Sequence, residues 1–331
     1  MRLLQFTDAG HTRVARITSD GAVAPLSRFE TTYQLARKAI QERRTLDEIV
    51  SAEPLDAPLV YTELLRDGRL LPPLTHPDPA HCLVSGTGLT HLGSAAARDS
   101  MHAKLGKPDD ELTDSMKMFK AGVEGGKPAG NRPGMQPEWF YKGNGRNVVA
   151  CGNTLLSPDF AEDHGEEPEL VGCYLIDDDG RPRRLGFAIG NEFSDHVTER
   201  RNYLLLAHSK LRQCGVGPML NTGMPPANLE GTSRIRRDGQ VIWQKPFLTG
   251  EANMCHTFAN LEYHHFKYRQ HRVPGDVHLH FFGTATVSCV DGIHVQAGDQ
   301  FEVDLPALGA TLINPLAIEP GGLSLHDTGA L

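Results

Sequence analysis

The stretch EPELVGCYLI at residues 167–176, the turn DDDG at 177–180 and the return LGFAIGNE at 185–192 decide the fold. Two mostly apolar, β-forming runs joined by an Asp-Gly turn predict a hairpin. Alternate residues of a strand point to the same side, so Glu167 and Glu169 face one spot. The return run brings Glu192 back toward that spot, and the hairpin therefore gathers three carboxylates at one end.

Three carboxylates held close together repel each other unless a cation lies between them. Hard oxygen ligands suit Mg²⁺, Mn²⁺ or Ca²⁺ and not Zn²⁺. A solvated acidic strand end, without a bound metal ion, is the alternative.

Lys210 follows an apolar run at residues 203–207. Such a lysine beside a metal site is predicted to have a lowered pKa and to act as a base, and a surface lysine is the alternative.

Short β-type runs separated by Gly, Pro and Asp turns fill the chain from residue 81 to residue 305, including a run at 287–290. One helix is predicted at 257–272. This pattern predicts a β-rich α+β catalytic domain with mixed sheets over residues 80–331. Two short strands and a helix at 31–41, capped by Thr31 or Thr32, predict a small N-terminal α/β domain over residues 1–75. A proline-rich linker separates the two domains.

Three further segments draw attention. Residues 103–136 are polar, rich in Gly and Pro and without a clear strand, which predicts a lid or a disordered insert. His278-Leu279-His280 is read either as a core strand or as a two-ligand metal strand, and the core strand is favoured because the other candidate ligands are carboxylates. His264-His265 on the predicted helix is expected to be structural.

The composition excludes some partners. A formal charge of −8 argues against nucleic acid and anionic membrane surfaces, which require basic surfaces. No apolar run approaches the ~20 residues of a membrane span. Met1 leads directly into a strand pattern, so no signal peptide is expected. Six widely spaced cysteines without a Cys-x-x-Cys pair indicate reduced thiols, and a cytoplasmic location is predicted.

The order and spacing of several motifs resemble the fumarylacetoacetate hydrolase superfamily over residues 82–314. These motifs are Phe140-Tyr141-Lys142-Gly143, Glu167-Pro168-Glu169-Leu170, Asn191-Glu192-Phe193-Ser194, Lys210, Gly215-Val216-Gly217-Pro218, Val273-Pro274-Gly275-Asp276 and Phe282-Gly283-Thr284-Ala285. The resemblance implies a mixed β-sandwich or roll for the catalytic domain, with a homodimer that covers exposed sheet edges.

The resemblance also implies a ligand set and a substrate class. Glu167, Glu169 and Glu192 would hold Mg²⁺ or Mn²⁺, and the ion would chelate the carboxylate and keto oxygens of a small 2-keto acid, acidifying its C3 hydrogens. Lys210 occupies the position of the family's lysine that reaches the reacting carbon. Thr284 would bind the substrate carboxylate, and Lys142 lies on the strand before the metal ligands and is assigned to substrate binding.

The sequence departs from the hydrolytic members after the first strand of the catalytic domain. Those members carry a His–Glu pair that activates water, whereas alignment on Gly88 places Ser94 and Ala97 at these positions. Alignment on His91 places Ser94 at the glutamate position. The water-activating pair is therefore expected to be missing. Elsewhere, Glu192 replaces an aspartate and His196 stands where many members carry arginine.

The loss of that pair favours the dehydratases of the superfamily. The sequence predicts a Mg²⁺-dependent lyase that converts a 2-keto-3-deoxy-pentonate of the arabinonate type to 2-oxoglutarate semialdehyde, in non-phosphorylative pentose breakdown. Lys210 would remove a C3 proton and Glu124, in the glycine-rich residues 121–128, would expel the C4 hydroxyl; an exposed loop carboxylate is the alternative for Glu124. His91 is either a second proton shuttle or structural.

Three other functions stay open from the sequence. The first is a hydrolase of a 2,4-diketo acid, of the acylpyruvase type. The second is an oxaloacetate-type decarboxylase. The third is a metal-dependent carboxylate-binding module without catalysis, which an intact Lys210 disfavours.

Overall fold

The computed structural model describes residues 1–93 and 112–331. Sixteen strands in these ranges form two sheets: β1 Arg2–Asp8, β2 His11–Ile17, β3 Val23–Pro25, β4 Leu70–Leu71, β5 Cys82–Gly86, β6 Phe140–Asn144, β7 Val148–Val149, β8 Leu155–Ser157, β9 Pro168–Ile176, β10 Pro182–Asn191, β11 Cys214–Thr222, β12 Leu229–Arg237, β13 Gln240–Thr249, β14 Val277–Phe281, β15 Gln300–Asp304 and β16 Leu312–Ile318. The α-helices described are α1 Thr32–Glu42, α2 Leu46–Ser51, α3 Tyr61–Arg66, α4 Asp114–Gly125, α5 His196–Arg201, α6 Leu206–Lys210 and α7 Phe258–Phe266.

The predicted hairpin lies in the middle of the larger sheet, whose order is β3-β2-β1-β11-β10-β9-β14-β5-β6, with β4 and β7 paired to β1 and β11. Strands β9 and β10 are antiparallel, and Pro168 pairs with Asn191 at the end far from the turn. The smaller sheet has the order β13-β12-β15-β16-β8. Strand β14 runs parallel to β5 and antiparallel to β9, so the large sheet is mixed, as predicted.

The N-terminal segment joins this sheet directly. Strand β1 pairs with β11 through Arg2 and Asn221 and through Leu3 and Leu220. Helix α1 begins after Thr31, whose side chain accepts a hydrogen bond from the backbone of Gln34, which confirms the predicted cap. The division into residues 1–75 and 80–331 stays a prediction, and the two segments share one continuous sheet.

Both faces of the large sheet are covered, which explains why all nine residues of β9 are buried. On one face Val171, Cys173 and Leu175 pack in a core that also contains residues of helices α1 and α2. On the other face Leu170 and Tyr174 pack with helix α7 and with the smaller sheet. Each fully buried large apolar side chain contributes about 1.5–3 kcal/mol, so this two-sided burial fixes the hairpin firmly.

Two local predictions were wrong. The helix predicted at 257–272 is α-helical only over Phe258–Phe266, because Tyr268 is extended and a 3₁₀ turn follows at Arg269–His271. Residues 287–290 belong to a 3₁₀ turn, Ser288–Asp291, and not to a strand. The buried carboxylate of Glu166 accepts hydrogen bonds from the backbone and hydroxyl of Ser288, and these bonds override the β-propensity of the run.

A helix lies in the polar insert, for which the sequence predicts a lid or a disordered segment. Within its described part, residues 112–136, helix α4 is capped by Thr113 and buries Phe119 and Gly122. The glycines around its C-terminal end concealed this helix in the sequence. Residues 103–111 lie outside the described residues. No described helix is long and apolar enough to cross a membrane.

Four buried histidines pack together where helix α7 meets strand β14. They are His265 on the helix, His271 after it, and His278 and His280 on the strand. Trp139 Nε1 donates to His265 Nδ1 at 3.2 Å, and His265 Nε2 lies 2.9 Å from His278 Nδ1. His278 and His280 lie on the core strand β14, as favoured from the sequence. Burial lowers the pKa of His278 and of His280 to about 3, and it lowers the pKa of His265 as well.

This histidine cluster predicts acid sensitivity. In the unfolded chain His265, His278 and His280 titrate near pH ~6.5, so below that pH the unfolded state binds protons that these three side chains exclude in the folded state. The free energy of unfolding should therefore fall between about pH 6.5 and pH 3, by up to about 1.4 kcal/mol per pH unit for each histidine. Urea unfolding followed by tryptophan fluorescence, at several pH values in that window, measures the slope.

His280→Asn is the matched variant, because an amide can keep the hydrogen bond that His280 Nδ1 makes with Ser85 at 2.9 Å. It should show a shallower loss of stability on acidification than wild type. Equal slopes in the two proteins would remove the cluster as the cause.

Candidate active site

The hairpin brings the three predicted carboxylates together. Glu167 and Glu169 flank the start of β9 and Glu192 follows the end of β10, where its backbone N–H donates to the carbonyl of Glu167 at 2.9 Å. One oxygen from each side chain lies within 4.8 Å of the others, and all three residues are buried. The convergence expected from the sequence is therefore observed, and the role of these residues as metal ligands stays a prediction.

The three carboxylates experience different electrostatic environments. Burial raises the pKa of Glu169 well above its usual range, and the neighbouring Glu192 and Glu167 raise it further. Burial also raises the pKa of Glu192, although the ammonium groups of Lys142 and Lys210 oppose the shift. At Glu167 the effect of burial is outweighed by Lys210 and His196, so its pKa is well below normal. Lys210 and His196 therefore favour the ionised form of Glu167, whereas Glu169 favours its protonated form.

Lys210 lies among these carboxylates at the end of helix α6. Its Nζ donates to Glu167 Oε1 at 2.5 Å and to Glu192 Oε2 at 2.8 Å. Burial alone would lower the pKa of Lys210, but Glu167, Glu192 and Glu199 raise it well above its usual range. The apolar run before Lys210 therefore delivers the ammonium into a set of carboxylates and not to the surface, and its role as a base beside a bound metal stays a prediction.

Lys142 is tied to the protein itself. Its side chain on β6 is completely buried, and Nζ donates to the carbonyls of Phe193 at 2.6 Å and Lys210 at 2.9 Å while it contacts the carboxylate of Glu192. Lys142 therefore ties the end of β10 to the end of helix α6 and positions Glu192, and its contact with substrate stays a prediction.

Thr284 lies one residue beyond the backbone that orients Glu169. Gly283 N–H donates to Glu169 Oε2 at 2.6 Å. Gly283 has φ +91°, and a Cβ there would lie 2.4 Å from Thr90 Oγ1, so only glycine fits this close turn. Thr284 is half-buried next to the carboxylates, a position that suits its predicted contact with a substrate carboxylate.

His91 is held by two threonines. Its Nδ1 lies 2.9 Å from Thr90 Oγ1 and its Nε2 lies 2.9 Å from Thr249 Oγ1. Burial lowers the pKa of His91 to about 3. No carboxylate among residues 1–93 and 112–331 hydrogen-bonds to it, which favours the structural alternative over a proton shuttle. Ser94 and Ala97 lie outside the described residues.

Glu124 is exposed on helix α4 rather than on a loop. Within the described parts of the chain it forms no hydrogen bond or ion pair with the carboxylate cluster or with Lys210. Its placement agrees better with the alternative of an exposed carboxylate than with a general acid.

Glu138 is a site residue that the sequence reading missed. Its side chain is only 7% exposed, and Oε1 accepts a hydrogen bond from Tyr203 Oη at 2.9 Å. Burial raises the pKa of Glu138 to about 7, and the charges of Lys210 and Glu167 act on it, so it lies near the cluster. A Cβ at Gly88 would lie 1.6 Å from Glu138 Oε2, so the missing side chain at Gly88 makes room for this carboxylate.

Only a weak signal marks Glu138 in the sequence. It is a single charge between Pro137 and the aromatic pair Trp139-Phe140, directly before a strand.

His196, noted earlier only as a departure from arginine, also belongs to the site. Its Nε2 lies 2.9 Å from Glu167 Oε1 and its Nδ1 lies 3.1 Å from Asp163 Oδ2.

No family model matches the sequence, and no curated protein matches it either. Solved structures do match over nearly the whole chain. A 2-keto-3-deoxy-D-arabinonate dehydratase in its apo form superimposes with a TM-score of 0.72 at 20% identity, covering 97% of this chain and 100% of that one. A structure of 2-keto-3-deoxy-D-arabinonate dehydratase complexed with magnesium and 2,5-dioxopentanoate gives 0.70 at 21% identity, covering 96% and 99%.

Other enzymes share the architecture. Fumarylacetoacetate hydrolase from Exiguobacterium antarcticum superimposes with a TM-score of 0.60 at 16% identity, covering 96% of this chain and 100% of that one. The likenesses establish the fold, and they confirm the prediction of a β-rich, fumarylacetoacetate hydrolase-like architecture.

The residues present fit a small, hard divalent cation. Glu167, Glu169 and Glu192 offer oxygen ligands only, in one buried cluster. Mg²⁺ is bound in proteins by such oxygen sets, commonly with water completing the octahedron. Burial and the charges of Glu192 and Glu167 raise the pKa of Glu169, and a bound dication would favour its ionised form.

This geometry predicts opposite effects of Glu169→Gln with and without metal. A carboxylate whose pKa is raised in the folded state destabilises that state at a pH where it would otherwise ionise. Metal-free Glu169→Gln should therefore melt at a higher temperature than metal-free wild type at mildly alkaline pH. Mg²⁺ should raise the melting temperature of wild type but not of the variant, as thermal scans in EDTA and in Mg²⁺ would record.

Glu230→Gln, at an exposed position of β12, is the control and should respond to Mg²⁺ like wild type. An equal Mg²⁺-dependent rise in wild type and Glu169→Gln would contradict the ligand assignment.

Proposed function

We propose that this chain is a Mg²⁺-dependent hydro-lyase that removes water from a 2-keto-3-deoxy-pentonate and yields 2,5-dioxopentanoate. The observation that carries the proposal is the placement of Glu138, a buried carboxyl with a pKa of about 7, beside Lys210 and the three-carboxylate cluster. The fold likeness to 2-keto-3-deoxy-D-arabinonate dehydratase, over essentially the full length of both chains, supports it.

The reaction requires several proton transfers. A C3–H bond and the C4–O bond break and one water leaves, which forms a C3=C4 double bond. A proton then moves from C5 to C3, which gives a C4=C5 enol, and transfer of the enol O–H proton to C4 yields the C5 aldehyde. Mg²⁺ held by Glu167, Glu169 and Glu192 would supply Lewis-acid stabilisation of negative charge on the C2 keto oxygen. The remaining work, taking protons and returning them, falls to side chains of the protein.

Glu138 suits this two-way proton transfer. A group that must both accept and donate works best when its pKa lies near the working pH, and a pKa of about 7 meets that requirement. The resemblance implies Lys210 as the base at C3, but its Nζ donates to both Glu167 and Glu192, and these carboxylates raise its pKa. We therefore assign the proton transfers to Glu138 in place of Glu124, and assign to Lys210 the stabilisation of negative charge.

A hydrolase is the rival with the most similar metal chemistry. It needs a base that activates water, and His91 has both ring nitrogens bound to threonines. The decarboxylase and the binding module need only part of the site, and no described contact favours them. The homodimer, the cytoplasmic location, and the lack of nucleic-acid and membrane partners stay predictions.

The first experiment offers the protein both substrate classes. With Mg²⁺, it receives 2-keto-3-deoxy-pentonates of both C4 configurations and, separately, acylpyruvates, and products are identified by mass. Loss of one water from at least one keto-deoxy acid is expected, giving an aldehyde that a semialdehyde dehydrogenase can oxidise. Rapid release of pyruvate from acylpyruvates, with every keto-deoxy acid left intact, would overturn the lyase assignment.

The second experiment separates the roles of the side chains. Glu138→Gln keeps a hydrogen-bond acceptor for Tyr203 but cannot exchange a proton, so dehydration should slow by about 10²–10⁴-fold. Exchange of the C3 hydrogens of pyruvate with solvent deuterium should slow as well. Lys210→Met tests the base role that the resemblance implies.

If Lys210→Met alone abolishes deuterium exchange while Glu138→Gln leaves it intact, Lys210 is the C3 base and our assignment is wrong. Glu124→Gln tests the acid expected from the sequence. A larger loss of dehydration in Glu124→Gln than in Glu138→Gln would return the acid role to Glu124.

A further inference from the structure

A second group of metal-ligating side chains lies beside the carboxylate cluster. Asp163 after β8, His196 at the start of helix α5 and Cys289 in the Ser288–Asp291 turn each offer one ligand atom, and these atoms lie within 4.8 Å of one another. Asp163 and His196 are buried and Cys289 is partly exposed. Three segments distant in sequence therefore converge on one spot that the proposed dehydration does not use.

The orientation of His196 matches that of a metal-bound histidine. Such a histidine usually donates its second ring N–H to a carboxylate, which fixes the tautomer and the ring plane. Here Nε2 lies 2.9 Å from Glu167 Oε1, which leaves Nδ1 on the side of Asp163, 3.1 Å from Oδ2. A Cβ at Gly165 would lie 2.0 Å from Nδ1, so the missing side chain at Gly165 leaves room for the ring.

Cys289 is positioned by its neighbours. The bonds from Ser288 to the buried carboxylate of Glu166, at 2.8 and 2.6 Å, fix the turn that carries the thiol. Arg200 Nη2 donates to Cys289 Sγ at 3.1 Å, which fixes the position of the sulfur. Cys289 is also the one cysteine of the six that is not buried, so an ion from solvent can reach it.

We propose that Asp163, His196 and Cys289 form a second cation site, selective for Zn²⁺ and similar thiophilic divalent ions. Mixed nitrogen, oxygen and sulfur donors suit Zn²⁺, whereas Mg²⁺ requires oxygen ligands. The ionised thiol and carboxylate balance the charge of the dication. Three protein ligands leave a fourth position for water. The site does not depend on the proposed function, although His196 connects it to Glu167.

Cobalt(II) tests the site, because a cysteine thiolate bound to Co²⁺ gives a near-ultraviolet charge-transfer band that carboxylates do not give. Co²⁺ is added in the presence of excess Mg²⁺, which occupies the carboxylate cluster. Wild type should show the band, and Zn²⁺ should abolish it by displacement. Cys289→Ser should lose the band, whereas Cys255→Ser, at a buried thiol bonded to the carbonyl of Leu89, should keep it.

A second measurement is independent of colour. Zn²⁺ should slow the alkylation of Cys289 by iodoacetamide, followed by peptide mass, in wild type with Mg²⁺ present. Melting temperatures of metal-free Cys289→Ser and wild type should agree, since Cys289 is partly exposed. A band that is missing in wild type, a band that survives in Cys289→Ser, or alkylation unaffected by Zn²⁺ would each overturn the proposal. None of these readouts depends on whether the chain dehydrates a sugar acid.

Discussion

The burial of three carboxylates at the end of one hairpin is the constraint on which the rest of the site depends. Buried carboxylates destabilise a fold unless cations or hydrogen-bond donors accompany them. Lys142 and Lys210 provide the cations, the backbone N–H of Gly283 donates to Glu169, and the hydroxyl of Ser194 donates to Glu192. Four segments that are distant in the chain must therefore meet at this point, and the two sheets are arranged so that they do.

The same constraint accounts for the difference between the two lysines. Lys142 has no exposed surface and all its contacts are internal, so its charge serves the position of Glu192. Lys210 contacts two of the three carboxylates through its side chain, so its charge lies where a substrate anion or a cation would be bound. The two lysines have the same side chain, so their different roles follow from the residues that surround each of them in the fold.

Local patterns explain which parts of the fold and the site could be predicted from the sequence. The hairpin was predictable because β9 and β10 are two β-forming runs joined by an Asp-Gly turn. Side chains of a strand point alternately to its two faces, so the convergence of Glu167, Glu169 and Glu192 could be predicted from this hairpin. The pKa of Lys210, the proximity of Glu138 and the contact of His196 with Glu167 depend on residues far away in the chain. Helix α4 was not predicted because the glycines around its C-terminal end disfavour a helix. The turn at Ser288 was not predicted because its hydrogen bonds go to Glu166, a buried residue far away in the chain.

The bulge in β10 has a consequence for insertions and deletions during evolution. Between Arg184 and Gly186 the strand carries one extra residue, Leu185, that has no pairing partner on β9. Side chains alternate between the two faces along a strand, so this extra residue determines the face of the sheet on which Glu192 lies. Loss of Leu185 would turn every later side chain of β10 to the opposite face. Insertions or deletions in the 177–180 turn lie outside the paired residues of the two strands and would leave Glu192 on the same face.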